Sequence, residues 1–149
     1  TGDWSSDVCS SDLKVLVPLD GTERSMHSIK FLKGFFNKED ISVTLMNVME
    51  IILTDDMMIP MPIPNEFDYL TNDSKLILDK AIKELEGYEV EEFSILGYAG
   101  DEILKKSEKE SYDVIVMTKC SKKGLYRIIG SVTSKVVRNS KVSVIVIPD

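Results

Sequence analysis

The chain is poor in the residues that build metal centres and nucleophilic triads. In 149 residues it has one histidine, His27, and two cysteines, Cys9 and Cys120. A protein-only zinc site needs about four Cys, His or carboxylate ligands, so this composition offers no such site. A Ser-His-Asp arrangement would have to use His27, and the neighbouring Asp20 and Ser25 do not make it one; His27 reads as a surface helix residue. Two cysteines are no disulfide framework, and a reducing cytoplasm fits them. No apolar run approaches the roughly 20 residues that a membrane helix requires. Net charge is −7, which argues against general nucleic-acid binding. Glycine is also sparse where a phosphate loop would want it: between Met117 and Ser131 there are only Gly124 and Gly130.

What remains is the composition of one globular domain, with 43% hydrophobic and 29% charged residues. A chain of this length buries roughly 68–70% of its unfolded surface, enough for a core without staples. Residues 1–12 stand apart. "TGDWSSDVCSSD" is rich in serine and aspartate, has no hydrophobic period and no signal-peptide regions, and resembles translated sequencing-adapter read-through, with an ordinary disordered tail as the alternative. It is expected to carry no function, which leaves one domain over 13–149.

"KVLVPLD" (14–20) and "ISVTLMNVME" (41–50) are apolar and β-branched and read as buried strands. Between them Thr22 or Ser25 is placed to cap a helix whose apolar face is Met26, Ile29, Phe31, Leu32 and Phe35. Prolines 60, 62 and 64 mark a long loop, and Met57, Met58 and Met61 with Ile59 and Ile63 read as an apolar flap in it or, equally, as core packing or a disordered stretch. An amphipathic helix follows from about Asn65 to Glu86, stopped by Gly87. "YEVEEFSILGYA" reads as a third strand, "GDEILKKSEKES" as a short helix and "YDVIVMT" as a fourth strand. A helix over 131–139 and "KVSVIVIP" as a fifth strand complete the chain.

Strands alternating with helices predict an α/β fold: an open five-stranded parallel sheet, flavodoxin- or Rossmann-like, with helices on both faces. Ligands of such sheets sit beyond the carboxyl ends of the strands, at the switch point. Residues 119–141 lie there with Lys119, Lys122, Lys123, Arg127, Lys135, Arg138 and Lys141 and no acid, a field that gathers anions or simply a solvated basic face. Cys120 sits among these lysines, which lower a thiol pKa, although a small loop residue is the plainer reading. "PLDGT" matches the second half of the phosphatase signature Asp-x-Asp-Gly-Thr, but Pro18 occupies the nucleophile position and cannot form an aspartyl phosphate. A phosphorylatable receiver domain is excluded similarly, because the third strand ends at Leu96-Gly97 without an aspartate.

Three stretches in order, "VLVPLDGTERS", "GYAGDEILKKSEKESYDVIVM" and "GSVTSKVVRNSKVSVIVIP", resemble the universal stress protein family. The resemblance runs from about Lys14 to Pro148 and implies a cytoplasmic stress-response sensor or regulator, not an efficient enzyme. It would bind an adenine nucleotide (ATP or AMP, with or without Mg²⁺) as a homodimer paired through the last strand, Val142 to Ile147. Carried over by position, Pro18, Asp20 and Gly21 form the first turn of the site, with Asp20 on the ribose or base. The Val48 backbone meets the adenine, and Gly130, Ser131 and the Val132 amide hold phosphate. Nucleotide-binding members carry Gly, two residues, Gly, nine residues, then Gly-Ser or Gly-Thr. Here Thr118 and Ser121 stand at the first two glycine positions, and only eight residues separate Ser121 from Gly130. The departure leaves a second reading open: a protein-interaction module of the same fold whose nucleotide site has decayed and whose basic loop meets an acidic partner.

Overall fold

The computed structural model describes residues 12–50, 64–119 and 129–148, with side chains of 64–69 excepted. The apolar flap, Cys120, Ser121, Lys122, Lys123 and Arg127 lie outside the described residues, as do residues 1–11. The described elements are β1 (Leu13–Pro18), α1 (His27–Phe35), β2 (Ile41–Met49), α2 (Pro64–Glu84), β3 (Glu89–Leu96), α3 (Ala99–Lys109), β4 (Val114–Thr118), α4 (Ser131–Asn139) and β5 (Ser143–Ile147).

All strands pair in parallel, in the order β3-β2-β1-β4-β5. The chain therefore builds outward from β1 to β3, returns, and builds the other way from β4 to β5. Alternation along β1 divides the core between the two faces of the sheet. Val15, Val17 and Leu19 pack with Ile29 and Leu32 of α1, with Leu78 and Ala81 of α2 and with Leu85 just beyond it. Leu16 faces the other way, with Met46, Ile115, Met117, Ile103 of α3 and Val136 of α4. Burying a side chain such as Leu16 or Leu45 completely contributes about 1.5–3 kcal/mol, which is why these central strands read as continuous apolar runs.

The expected helix, capped by Thr22 or Ser25, is corrected at its start and ends at Phe35. Thr22 Oγ1 accepts from the Ser25 amide at 3.2 Å and so caps a separate turn; α1 starts only at His27, behind Met26, with no side-chain cap. His27 is half-buried rather than on the open surface. Phe35, expected on the apolar face, is 73% exposed, because the helix ends there and the chain turns Phe36 inward instead. Phe35 stacks on Phe31 with ring centroids 4.3 Å apart. The second helix ends at Glu84, two residues short of expectation, and Gly87 follows at φ +88°. The third strand is shorter than read, because Gly97 to Ala99 turn into α3.

At the amino ends of the strands, Lys14 donates from its backbone to Asp113 Oδ2 (2.8 Å) and from Nζ to the Glu110 carbonyl (2.8 Å). Lys106 pairs with Glu110 at 2.6 Å and holds its carboxyl below the ordinary carboxylate range. Burial pushes the Tyr112 phenol up; its hydroxyl donates to the buried Thr44 Oγ1 at 2.9 Å. This end of the sheet is closed and cross-linked.

Candidate functional site

The carboxyl end opens. β1 pairs with β2 as far as Pro18–Met46, but with β4 only at Val15–Val114 and Leu16–Ile115. The Leu19 amide donates to Met46 O at 2.8 Å, toward β2. Successive residues of a strand point their backbone groups to opposite sides, so residue 18 faces β4, where proline has no N–H to give. Pro18 thus ends the β1–β4 ladder, and the two strands part at the switch point.

A cleft of ≈ 380 Å³ fills the gap, within the size range of small-molecule sites. Its floor is apolar: Met46 and Val48 from β2, Met117 from β4, Ile103 from α3 and Val132 from α4. Asp20 and Glu50 stand at one wall, at the ends of β1 and β2, while Thr118, Gly130, Ser131 and Thr133 form the other. The buried amide of Asn47 donates to Leu19 O at 2.8 Å and fixes the end of β1 against β2.

Two helix N-termini meet the cleft, at Ala99 and Ser131, and they differ in charge. The first turn of α3 carries Asp101 and Glu102, which offset its dipole. The first turn of α4 carries no acid, and Gly130 before it offers no side-chain cap. The first helical bond is Ser134 N to Gly130 O at 2.8 Å, so the amides of Ser131, Val132 and Thr133 precede the ladder. This arrangement can receive an anion. The Thr133 hydroxyl donates to Thr118 O at 3.0 Å and locks the start of α4 onto the end of β4. Thr133→Val keeps the shape and removes that bond, leaving a part-buried carbonyl unpaired. It is expected to cost about 1–2 kcal/mol, measured by urea unfolding.

Of the residues expected here, Pro18, Asp20, Val48, Thr118, Gly130, Ser131 and Val132 do line the cleft. Three expectations change. Gly21 does not line it; it sits at φ +83°, and a Cβ there would lie 2.7 Å from Ile77 Cδ1, so glycine serves the turn and the approach of α2. The Gly130 amide donates to Lys119 O at 3.0 Å, so this N–H closes the base of the loop rather than pointing at a ligand. The basic run is also partly structural: Lys135 pairs with Asp101 at 2.6 Å and Lys141 with Glu108 at 3.1 Å, clamping α4 to α3. Ser121 lies outside the described residues.

Asp20 is held rather than loose. Its Oδ1 accepts from the Thr22 amide at 3.0 Å and the Thr22 hydroxyl at 2.6 Å. The residues missed by sequence reading are mostly the floor (Met46, Met117, Ile103, Ala99) together with Glu50 and Thr133. Period-2 alternation along β2 puts Met46, Val48 and Glu50 in one row, a signal that was available; the positions of Ala99 and Ile103 depend on how α3 packs. Among the described residues no group of three or more His, Cys, Asp or Glu is arranged to hold a metal ion, and no helix is long and apolar enough to cross a membrane.

Such a doubly wound α/β domain, with a ligand-sized cleft at its switch point, belongs to the open parallel-sheet architectures that take ligands beyond the carboxyl ends of their strands. Within that class the chain is a member of the universal stress protein family, whose family model matches residues 13–148. It is similar to universal stress protein MJ0577 of Methanocaldococcus jannaschii, at 30% identity over 90% of this chain and 93% of the relative. The solved structure of MJ0577 superposes with a TM-score of 0.75 at 27% identity, covering 93% of this chain and 97% of that one. The fold also matches a universal stress family protein from Arabidopsis thaliana with AMP bound (TM-score 0.69, 16% identity, 91% of each chain). A universal stress protein in complex with cAMP matches at a TM-score of 0.65 and 17% identity, over 93% of this chain and 98% of that one.

Proposed function

We propose that this domain is a stress-response sensor that binds an adenine nucleotide in the switch-point cleft. The observation that carries the reading is the acid-free N-terminus of α4 facing an apolar floor across a cleft of ligand size. An anion at Ser131–Thr133 and a flat apolar base over Met46, Val48 and Met117 use both halves of it. Two similar structures, holding AMP and cAMP, support the choice of adenine nucleotide. This reading places the phosphate on the α4 amides, which need no glycine at positions 118 and 121 to precede the helical ladder. The domain acts by switching between bound and free forms, as a cytoplasmic homodimer through β5, rather than by rapid turnover.

Calorimetric titration of AMP, and of ATP with magnesium, tests the reading. Binding at or below tens of micromolar is expected. No heat from either nucleotide at several temperatures would sink it and leave the interaction-module reading. The dimer is tested by light scattering: Val144→Asp, on the sheet edge, is expected to halve the mass, and an unchanged mass would defeat the β5 assignment.

A further inference from the structure

The cleft has two walls of opposite character. The α4 wall offers amides and a helix dipole, whereas the β1–β2 wall offers two carboxylates, Asp20 and Glu50. They are not equivalent. Oδ1 of Asp20 already accepts two bonds from Thr22, which fix it as part of the turn. Glu50 is the first residue beyond β2, exposed, and follows Met46 and Val48 in the row that makes the cleft floor. None of the described ion pairs involves Glu50. A ligand seated with its anionic group on α4 therefore brings its far side to a carboxylate that no cation among the described residues neutralises.

We infer that Glu50 is a specificity-determining residue that restricts the cleft to ligands with a single anionic pole. This rests on the nucleotide reading above. A hydroxyl or amine on the far side of the ligand donates to the Glu50 carboxylate. A second phosphate there meets like charge in a partly desolvated cleft, and rejection by an unpaired charge is an effective way to discriminate between similar ligands. For an adenine nucleotide held by its 5′-phosphate, the excluded group is a phosphate on the 2′ or 3′ oxygen.

The test is a calorimetric comparison of AMP with adenosine 2′,5′-bisphosphate and adenosine 3′,5′-bisphosphate on the full chain. In the native protein the tighter of the two bisphosphates is expected to bind about tenfold or more weaker than AMP. Glu50→Gln, an exposed and isosteric change, is expected to bring that ratio below about threefold while AMP binding moves little. Glu92→Gln, on the exposed edge strand β3, removes the same charge away from the cleft and is expected to leave the ratio at its native value. If AMP binds but the native ratio is under threefold, or survives Glu50→Gln, the Glu50 inference falls and the nucleotide site stands. If AMP itself does not bind, the nucleotide reading falls and takes this inference with it.

Discussion

Gly130→Asp is expected to abolish nucleotide binding, by at least about a hundredfold, while leaving the fold as stable as before or slightly more so. The two effects have one cause. Gly130 is the N-cap of α4, at φ −58° and ψ 157°, a conformation open to any residue, so nothing in the backbone demands glycine. Aspartate is among the best N-cap residues: its carboxylate accepts from the amides two and three positions on, Val132 and Thr133, and complements the helix dipole. Relative to glycine the gain is a few tenths of a kcal/mol. Those amides are the ones assigned to the phosphate, and the new carboxylate competes with it in place and repels it by charge. A loss of more than two decades in affinity corresponds to about 2.7 kcal/mol or more, within reach of losing charge-assisted bonds and gaining a buried repulsion. Calorimetry and thermal unfolding on the same sample check both halves. Unchanged affinity would remove the phosphate from α4; lost affinity accompanied by unfolding would show only damage.

Gly21→Val is expected to be the most destabilising single change in the site region, at about 2–4 kcal/mol. Gly21 lies at φ +83°, where a β-branched residue is strained by 1–3 kcal/mol in order of magnitude. Its Cβ would also meet Ile77 Cδ1 at 2.7 Å, a clash with the helix that covers this turn. Ile77 can swing aside in part, so overpacking adds on the order of 1 kcal/mol more. For a domain of this size each kcal/mol moves the unfolding midpoint by about 2–4 °C or slightly more, and a fall of about 5–15 °C is expected by calorimetric melting. Gly21→Ala should fall between native and valine. A midpoint within 2 °C of native for both variants would mean that the turn rearranges and that α2 is not fastened to it.

Much of the fold was legible because local and global signals agree. β1, β2 and β4 are short apolar runs of the kind that only a sheet covered on both faces requires, and the helices between them impose parallel pairing. The misreadings came where one segment does two things. Residues 22–35 look like one amphipathic helix with a cap, but Asp20 and Thr22 make a hydroxyl-braced turn first, and α1 begins only after it. Phe35 has the right spacing for the core and the wrong position, one residue before the chain leaves the helix. In both cases a competing side-chain-to-backbone bond or a chain reversal overrode the period.

The site divides along the same line. Asp20, Val48, Gly130 and Ser131 are named through the family resemblance, and the order of elements agrees with it, because strand ends and helix starts are local events and a parallel sheet brings its carboxyl ends to one edge. The run of seven basic residues after Met117 could be counted directly. Which of those charges face a ligand was decided by packing: α3 takes Lys135 and Lys141 into ion pairs with Asp101 and Glu108. Packing also set the fate of the Gly130 amide, which Lys119 O claims, and the role of Glu50, which only the spacing of β2 from α4 makes the far wall of a cleft. Sequence by itself determined the elements, their parallel order and the edge at which a ligand must sit, since these follow from periodicity and chirality. The tertiary structure alone decided which polar groups are left over at that edge, because a donor or carboxylate is available to a ligand only if no neighbour in space has already satisfied it.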